Sequence, residues 1–139
     1  MSFKSKIASI DIGLKRIGVA ICLEGSIVTP QPAILRKNRN QAARDVDSFL
    51  KEWEIDTLVV GMPKGGSSEE EMTRRIEHFV SLLEFSGKIH FQDEYGSSME
   101  AKEMMQGVTK QKRDGKIDSL AAKVILERWL CKNPHQKQL

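Results

Sequence analysis

The strongest constraint on the fold is a pair of apolar segments joined by a very short link. Residues 7–11 and 17–23 are rich in Ile, Val and Ala, and "GLKR" lies between them. A link this short favours a hairpin of two antiparallel strands. Residues 27–35 predict a third strand, which Pro30 and Pro32 make irregular or confine to an edge of the sheet.

The rest of the chain alternates between helical and strand patterns. Apolar residues recur with helical spacing from Asn40, and "DTLVVGMP" predicts a buried strand over residues 57–61. A second helix is predicted from the capping box in "SSEEEM" to Gly87, and residues 88–93 predict a last short strand. One further helix is predicted from Ser97, and a final one on "IDSLAAKVILERWL". Strands that helices join are usually parallel crossovers, so the chain is a mixed α/β protein.

Size and composition fit one soluble domain. At 139 residues the chain is about one domain long, so we expect residues 1–139 to form a single unit. No apolar run approaches the ~18 residues that a membrane span needs, and the start of the chain has no apolar signal core. Cys22 and Cys131 lack C-x-x-C spacing and fit reduced thiols. We therefore expect a cytoplasmic protein that does not enter a membrane.

Acidic residues stand at the ends of predicted strands and at the start of the last helix. Asp11 ends the first strand, and Asp118 opens the last helix. Asp93 and Glu94 follow each other at the end of the last strand. Open α/β sheets bind ligands outside the carboxyl ends of parallel strands, so these carboxylates can share one site. Because gathered carboxylates repel one another unless a hard cation such as Mg²⁺ or Mn²⁺ is present, the pattern predicts a two-metal site for phosphoryl transfer.

Each of these acids also has a purely structural interpretation. Asp11 could pair with Lys15 or Arg16. Glu94 could be solvated at the end of its strand, and Asp118 could serve only as a helix N-cap or as a first-turn partner of the helix dipole.

Strand alternation does not choose between the two neighbouring acids of the last strand. Successive side chains point to opposite faces of a sheet. Asp93 therefore shares the face of Ile89 and Phe91, and Glu94 lies on the other. Which of these faces carries the site is left open by periodicity.

Four motifs together resemble the YqgF/RuvX family of Holliday junction resolvases and ribosomal RNA precursor nucleases. They are "DIGLKRIGVA", "VVGMP", "DEYGSS" and "KIDSLAAKVILERWL", in that order over nearly the whole chain. The resemblance implies a ribonuclease H-like fold, a five-stranded mixed sheet with helices on both faces, as one nuclease domain over residues 1–139. It also implies that the family's acidic set falls on Asp11, Glu94 and Asp118.

The chain departs from the family pattern beside two of these acids. The family has Pro after its first aspartate and Arg after its glutamate, where this chain has Ile12 and Tyr95, and Gly96 replaces a usual leucine. The metal-ligand types are kept, so the departures bear on how the loop after Glu94 meets its substrate.

The activity implied by the resemblance is metal-dependent hydrolysis of phosphodiester bonds. Two Mg²⁺ or Mn²⁺ ions are expected, with Asp11 bridging both and with Glu94 and Asp118 each completing one coordination shell. The implied substrate is the 5′ end of pre-16S rRNA during ribosome biogenesis or, alternatively, a four-way DNA junction. A junction resolvase is expected to work as a twofold homodimer.

Two other functions stay open at this point. A D-x-G turn followed by a second glycine resembles the phosphate-binding turn of actin-like ATPases and sugar kinases, although those enclose ATP between two such domains. Tyr95 and Gly96 favour a non-catalytic nucleic-acid-binding module of ribosome assembly.

Basic clusters supply the candidate contacts to nucleic acid. The net charge is only +3, so bulk charge is weak evidence, and such clusters also occur on ordinary solvated surfaces. The candidate nucleic-acid-binding residues are Lys15, Arg16, Lys64, Arg74, Lys112 and Arg113.

Overall fold

Five strands form one mixed sheet in the computed structural model, which describes residues 6–23, 27–63, 69–93 and 116–132. The strands are β1 (Ile7–Ile12), β2 (Arg16–Cys22), β3 (Thr29–Leu35), β4 (Thr57–Met62) and β5 (Lys88–Asp93). The helices within the described ranges are α1 (Arg39–Glu52), α2 (Glu69–Ser81) and α3 (Lys116–Lys132). The helix predicted from Ser97 lies outside the described residues.

Strand directions follow the lengths of the connections. β1 pairs antiparallel with β2, and β2 pairs antiparallel with β3, since their links are too short for a crossover. β1 pairs parallel with β4, and β4 pairs parallel with β5, in the order β3-β2-β1-β4-β5. The predicted hairpin, the edge position of the proline-containing strand and the mixed sheet are confirmed. The carboxyl ends of β1, β4 and β5 therefore lie at one edge of the sheet.

Each face of the sheet carries its own hydrophobic core. Ala8, Ile10 and Ile12 of β1 pack with α1 and α2 on one face, which we call the α1/α2 face. Ile7 of β1 and Val59 of β4 pack with α3 on the other, the α3 face, where α3 contacts all five strands. The predicted helices on both faces are confirmed. Side-chain alternation along each strand then decides which core a residue serves.

One helix ends earlier than its apolar pattern predicts. The predicted helix runs to Gly87, whereas α2 ends at Ser81. Past this end the backbone amide of Glu84 donates to the Asp47 carboxylate of α1, at 3.0 Å to Oδ2, instead of to a carbonyl of α2.

In the described part of the chain, no helix is long and apolar enough to cross a bilayer.

The two cysteines should differ sharply in reactivity. Cys22 is buried in the α3-side core, where burial raises the pKa of its thiol, and Cys131 is exposed on α3. Because the thiolate is the reacting form, we expect a thiol reagent at mildly alkaline pH to label Cys131 quickly and Cys22 only after unfolding. Thiol counts over time, in buffer and in denaturant, measure this. Rapid labelling of both cysteines in the native protein would contradict it.

Candidate active site

Asp11 lies on the α3 face at the carboxyl end of β1. Ile7 packs in the α3-side core, and the Ser9 hydroxyl donates to the carbonyl oxygen of Ala122 in α3 at 2.7 Å. Since side chains alternate along a strand, Asp11 shares this face. It is partly buried, and Ile12 follows it as the last residue of β1, so the strand continues one residue beyond its predicted end.

The first turn of α3 lies directly against β2 at Gly18. A Cβ atom at Gly18 would overlap the backbone carbonyl of Asp118 and crowd the amide of Ser119. The Ser119 hydroxyl accepts from the Val19 amide at 3.3 Å and donates to the Gln31 carbonyl at 2.6 Å. Only glycine allows the helix start to approach this closely, and Ser119 then fastens it to β2 and β3.

This contact places the first turn of α3, which carries Asp118, beside the strand position opposite Asp11. Asp11 is the direct partner of Gly18 in the antiparallel β1–β2 pair, and directly opposite residues project to the same face. Asp118 lies over Gly18 in the first turn of α3. Two of the three predicted acids are therefore on one face, at the edge where parallel α/β sheets bind ligands.

The Asp118 carboxylate is paired with Arg16 of β2. Arg16 Nε donates to Asp118 Oδ2 at 2.9 Å, and the two side chains are 25% and 33% exposed. Because α3 begins at Lys116, Asp118 is a first-turn residue and not the N-cap. An ion pair that water reaches contributes about 1 kcal/mol or less to stability. A divalent cation can therefore compete with the guanidinium for this carboxylate.

Asp93 points away from this site. It is the register partner of Met62 in the parallel β4–β5 pair, and Met62 packs against the α1/α2-side core. The ring of His90, on the alternate set of β5 residues, contacts Trp129 of α3, with 5.1 Å between ring centroids. Asp93 is therefore on the α1/α2 face, opposite to Asp11.

The third predicted acid, Glu94, lies outside the described residues. Within the described ranges, no three His, Cys, Asp or Glu side chains form a group that could hold a metal. Asp11 and Asp118 are thus the described part of the predicted carboxylate set.

The candidate nucleic-acid contacts separate onto different parts of the molecule. Lys15 is exposed in the turn between β1 and β2, and Arg16 is on the side of Asp118. Arg74 is exposed on α2 and lines a cleft on the α1/α2 face. Three candidates lie outside the described residues: Lys64, Lys112 and Arg113.

The cleft around Arg74 holds three further arginines that no sequence pattern places beside it. The cleft has a volume of about 620 Å³. Basic residues are visible in the sequence at each place, but only the packing of α2 beside α1 and the end of β3 gathers them. The arginines that line the cleft are Arg36, Arg39, Arg74 and Arg75.

A family match covers almost the whole chain. The family model described as "RuvX: Holliday junction resolvase" matches residues 5–132. The chain belongs to the RuvX family. The family predicted from the four sequence motifs is confirmed.

Relatives of this RuvX-family chain carry a nuclease name. A "Putative pre-16S rRNA nuclease" of Sulfurovum sp. (strain NBC37-1) is 72% identical over 125 residues, which cover 90% of this chain and 98% of that protein. The protein of the same name from Sulfurimonas denitrificans is 56% identical, over 90% of this chain and 96% of its own length. These relatives confirm the predicted nuclease class of enzyme.

Solved structures share the fold at low sequence identity. RuvC of T. thermophilus, in complex with a Holliday junction substrate, aligns with a TM-score of 0.58 at 8% identity, over 94% of this chain and 96% of that one. Fowlpox virus resolvase, in complex with junction DNA, aligns with a TM-score of 0.58 at 15% identity, over 93% and 98% of the two chains. At these identities the likeness concerns the fold alone. It confirms the ribonuclease H-like fold expected for a RuvX-family chain.

Proposed function

We propose that this chain is a divalent-cation-dependent nuclease whose active site is the α3 face around Gly18, within a single nuclease domain over residues 1–139. The observation that carries the proposal is the placement of Asp11 and of the helix turn that carries Asp118 on either side of Gly18, at the carboxyl end of β1. The tight contact between Gly18 and the first turn of α3 holds the two acids there. A carboxylate pair at this edge of an α/β sheet suits a metal-assisted reaction of a ligand bound outside the strands.

Glu94 is the proposed third acid. In β5, the side chain of His90 contacts α3. Gln92, two residues later, points to the same face of the sheet and is buried. Asp93 belongs to the other set, so its carboxylate is excluded from the α3 face, and the neighbouring acid of the family motif is Glu94. The strand pattern thus supports Glu94 over Asp93, in agreement with the family motif.

The donor chemistry of the site fits Mg²⁺ or Mn²⁺. Carboxylate oxygens are the ligands that these ions prefer. Asp11, Glu94 and Asp118 are the residues that would hold two such ions. Ions bound there would supply activation of a water for in-line attack and stabilisation of the leaving oxygen.

Basic side chains next to the acids would hold the substrate. Arg16 orients the Asp118 carboxylate through its 2.9 Å ion pair and adds positive charge beside it. Lys15, exposed in the adjoining turn, is free to follow a phosphate backbone. We therefore assign these two residues to phosphates that flank the scissile bond.

The proposed substrate is the 5′ end of pre-16S rRNA, hydrolysed in the cytoplasm during ribosome biogenesis. Relatives at 72% and 56% identity over nearly their whole length carry that name, which favours a shared substrate. A four-way DNA junction is the second candidate, because the family model is described as a Holliday junction resolvase. In that case the protein would act as a twofold homodimer.

Cleavage assays with matched variants test the proposal. The purified protein is given a structured pre-16S rRNA 5′ leader and a four-way DNA junction, each with Mg²⁺, Mn²⁺ or a chelator. We expect metal-dependent cleavage of the RNA that Asp11→Asn and Glu94→Gln abolish. Asp93→Asn should cleave like the wild type, because its side chain faces the other core. The pair Asp93→Asn and Glu94→Gln is the sharpest control, since each variant removes one charge at adjacent positions.

Other results would select other functions. Symmetrical cuts in the junction with the RNA left intact would assign the protein to DNA junctions. Metal-independent binding of RNA without cleavage would identify a non-catalytic module. Full activity in Asp11→Asn would reveal a contaminating nuclease and contradict the site.

A further inference from the structure

A second charged site lies on the α1/α2 face, on the opposite side of the sheet from Asp118. Arg36 follows β3, Arg39 opens α1, and Arg74 and Arg75 lie next to each other in α2. All four line the same cleft of about 620 Å³. Glu71 is the acidic residue among the described residues that line it. The cleft therefore carries a strong excess of positive charge.

Arg36 is held rigidly at the floor of this cleft. Its Nη1 donates to the carbonyl oxygen of Gly13 at 2.7 Å, just after β1. Its guanidinium carbon lies 5.5 Å from the centre of the Phe79 ring, which is buried in the α1/α2-side core. A guanidinium stacked on a fixed ring and tied to backbone loses little further freedom when it binds a ligand.

The other three arginines of the cleft differ in how many of their N–H donors already bind protein groups. Arg39 Nη1 lies 3.2 Å from His78 Nδ1, and Arg75 Nη2 donates to Glu71 Oε2 at 2.7 Å. Arg74 has no hydrogen bond or ion pair with any described residue. Each guanidinium has five N–H donors, so all three keep donors for a ligand.

The crowding of like charges favours an anion in the cleft. Burial lowers the pKa of Arg36, and the charges of Arg39 and Arg75 lower it further. Arginine nevertheless stays protonated at physiological pH, so the repulsion is relieved by an anion and not by loss of a proton. Guanidinium groups bind phosphate oxygens through pairs of parallel hydrogen bonds, and groups from three chain segments can surround one phosphate.

We propose that this cleft is a second phosphate-binding site, which takes the backbone of a nucleic acid next to the segment bound at Asp11 and Asp118. Gly13, which anchors Arg36, follows Asp11 by two residues, or roughly 7 Å along an extended chain. The cleft and the proposed active site thus flank the same strand end on opposite faces. A nucleic-acid strand that leaves the α3 face can therefore pass over the edge of the sheet into the cleft.

The lining of the cleft favours a backbone phosphate over a nucleotide with its base. His78 is the one aromatic ring among its described lining residues, and it is engaged by Arg39, with 3.2 Å between His78 Nδ1 and Arg39 Nη1. No Phe, Tyr or Trp is among the described lining residues to form a larger stacking platform for a base. The assignment of the bound phosphate to a nucleic-acid backbone rests on the proposed nuclease function. The proposal that the cleft binds phosphate does not depend on that function.

Salt-dependent RNA binding tests the site without cleavage. The probe is a fluorescent single-stranded oligouridine, bound in chelator at several salt concentrations to wild type, to Arg39→Gln/Arg74→Gln and to Arg44→Gln. Arg44 is exposed on α1 and does not line the cleft, which makes it the matched control. We expect the double variant to flatten the slope of log affinity against log salt by about 0.7 for each phosphate that the protein no longer neutralises. Arg44→Gln should keep the wild-type slope, and thermal unfolding verifies that every variant is folded.

Inorganic phosphate separates the two sources of the ligand. We expect it to weaken RNA binding to the wild type more than chloride at the same ionic strength does, and to weaken binding to the double variant only as much as chloride does. Thermal stabilisation of the wild type, but not of the double variant, by inorganic phosphate that leaves RNA affinity unchanged would overturn the backbone as the ligand. A folded double variant with the wild-type slope would overturn the site itself. Since no step requires cleavage, either result is distinct from failure of the proposed nuclease, which the Asp11→Asn assay reports separately.

Discussion

Asp118→Asn should abolish cleavage while changing the free energy of unfolding by about 1 kcal/mol or less. Asparagine keeps the shape of the side chain, so the stabilising interaction that the substitution removes is the partly exposed ion pair with Arg16. The docking of α3 depends on Gly18 and Ser119 and stays intact. Even outer-shell partners of a bound metal cost about 10–100-fold in activity when removed, so we expect a ligand itself to cost at least about 100-fold. Cleavage rates and urea unfolding of both proteins measure the two effects.

Arg16→Gln should have the opposite effect on metal binding. It frees the Asp118 carboxylate from the guanidinium, so Mg²⁺ or Mn²⁺ should raise the unfolding temperature more than in the wild type. Asp118→Asn should shrink that rise, because stabilisation by a ligand scales with its affinity for the native state. Thermal unfolding without nucleic acid keeps this apart from any interaction of Arg16 with phosphates. Equal metal-induced shifts in wild type, Arg16→Gln and Asp118→Asn would show that Asp118 is not a ligand.

The parts of the fold that could be predicted from the sequence are those that local patterns determine. The short "GLKR" link required an antiparallel β1–β2 pair, and helical links gave the parallel strands β4 and β5. The end of α2 was predicted too late because the cause is distant in sequence. The apolar stripe continues past Ser81, but the Asp47 carboxylate of α1 captures the Glu84 amide.

The arrangement of the candidate site depends on contacts that no sequence pattern contains. Alternation in β5 gave the relative faces of Asp93 and Glu94, but the packing of Met62 was needed to say which face Asp93 serves. The Arg16–Asp118 ion pair joins residues from β2 and α3, and it forms because α3 docks over Gly18. The sequence contains every one of these residues, and only the register of the sheet and the docking of α3 bring them together.

Gly18→Ala should destabilise the protein and reduce cleavage together. The backbone at Gly18 is not left-handed, so alanine would ordinarily stabilise a strand here by roughly 0.5–1 kcal/mol. The added Cβ instead overlaps the Asp118 carbonyl, and forcing extra volume into such a contact costs about 1–3 kcal/mol. Relief of the overlap moves the first turn of α3, and with it Asp118, away from Asp11.

Ser9→Ala is the matched control, since it removes the hydroxyl bond to Ala122 of α3 without adding volume. The Ser9→Ala protein should lose about 1 kcal/mol in its free energy of unfolding and keep its cleavage activity. Urea unfolding and RNA cleavage by both variants measure the difference. A Gly18→Ala protein as stable and as active as the wild type would mean that the close approach of α3 to β2 does not position the acids.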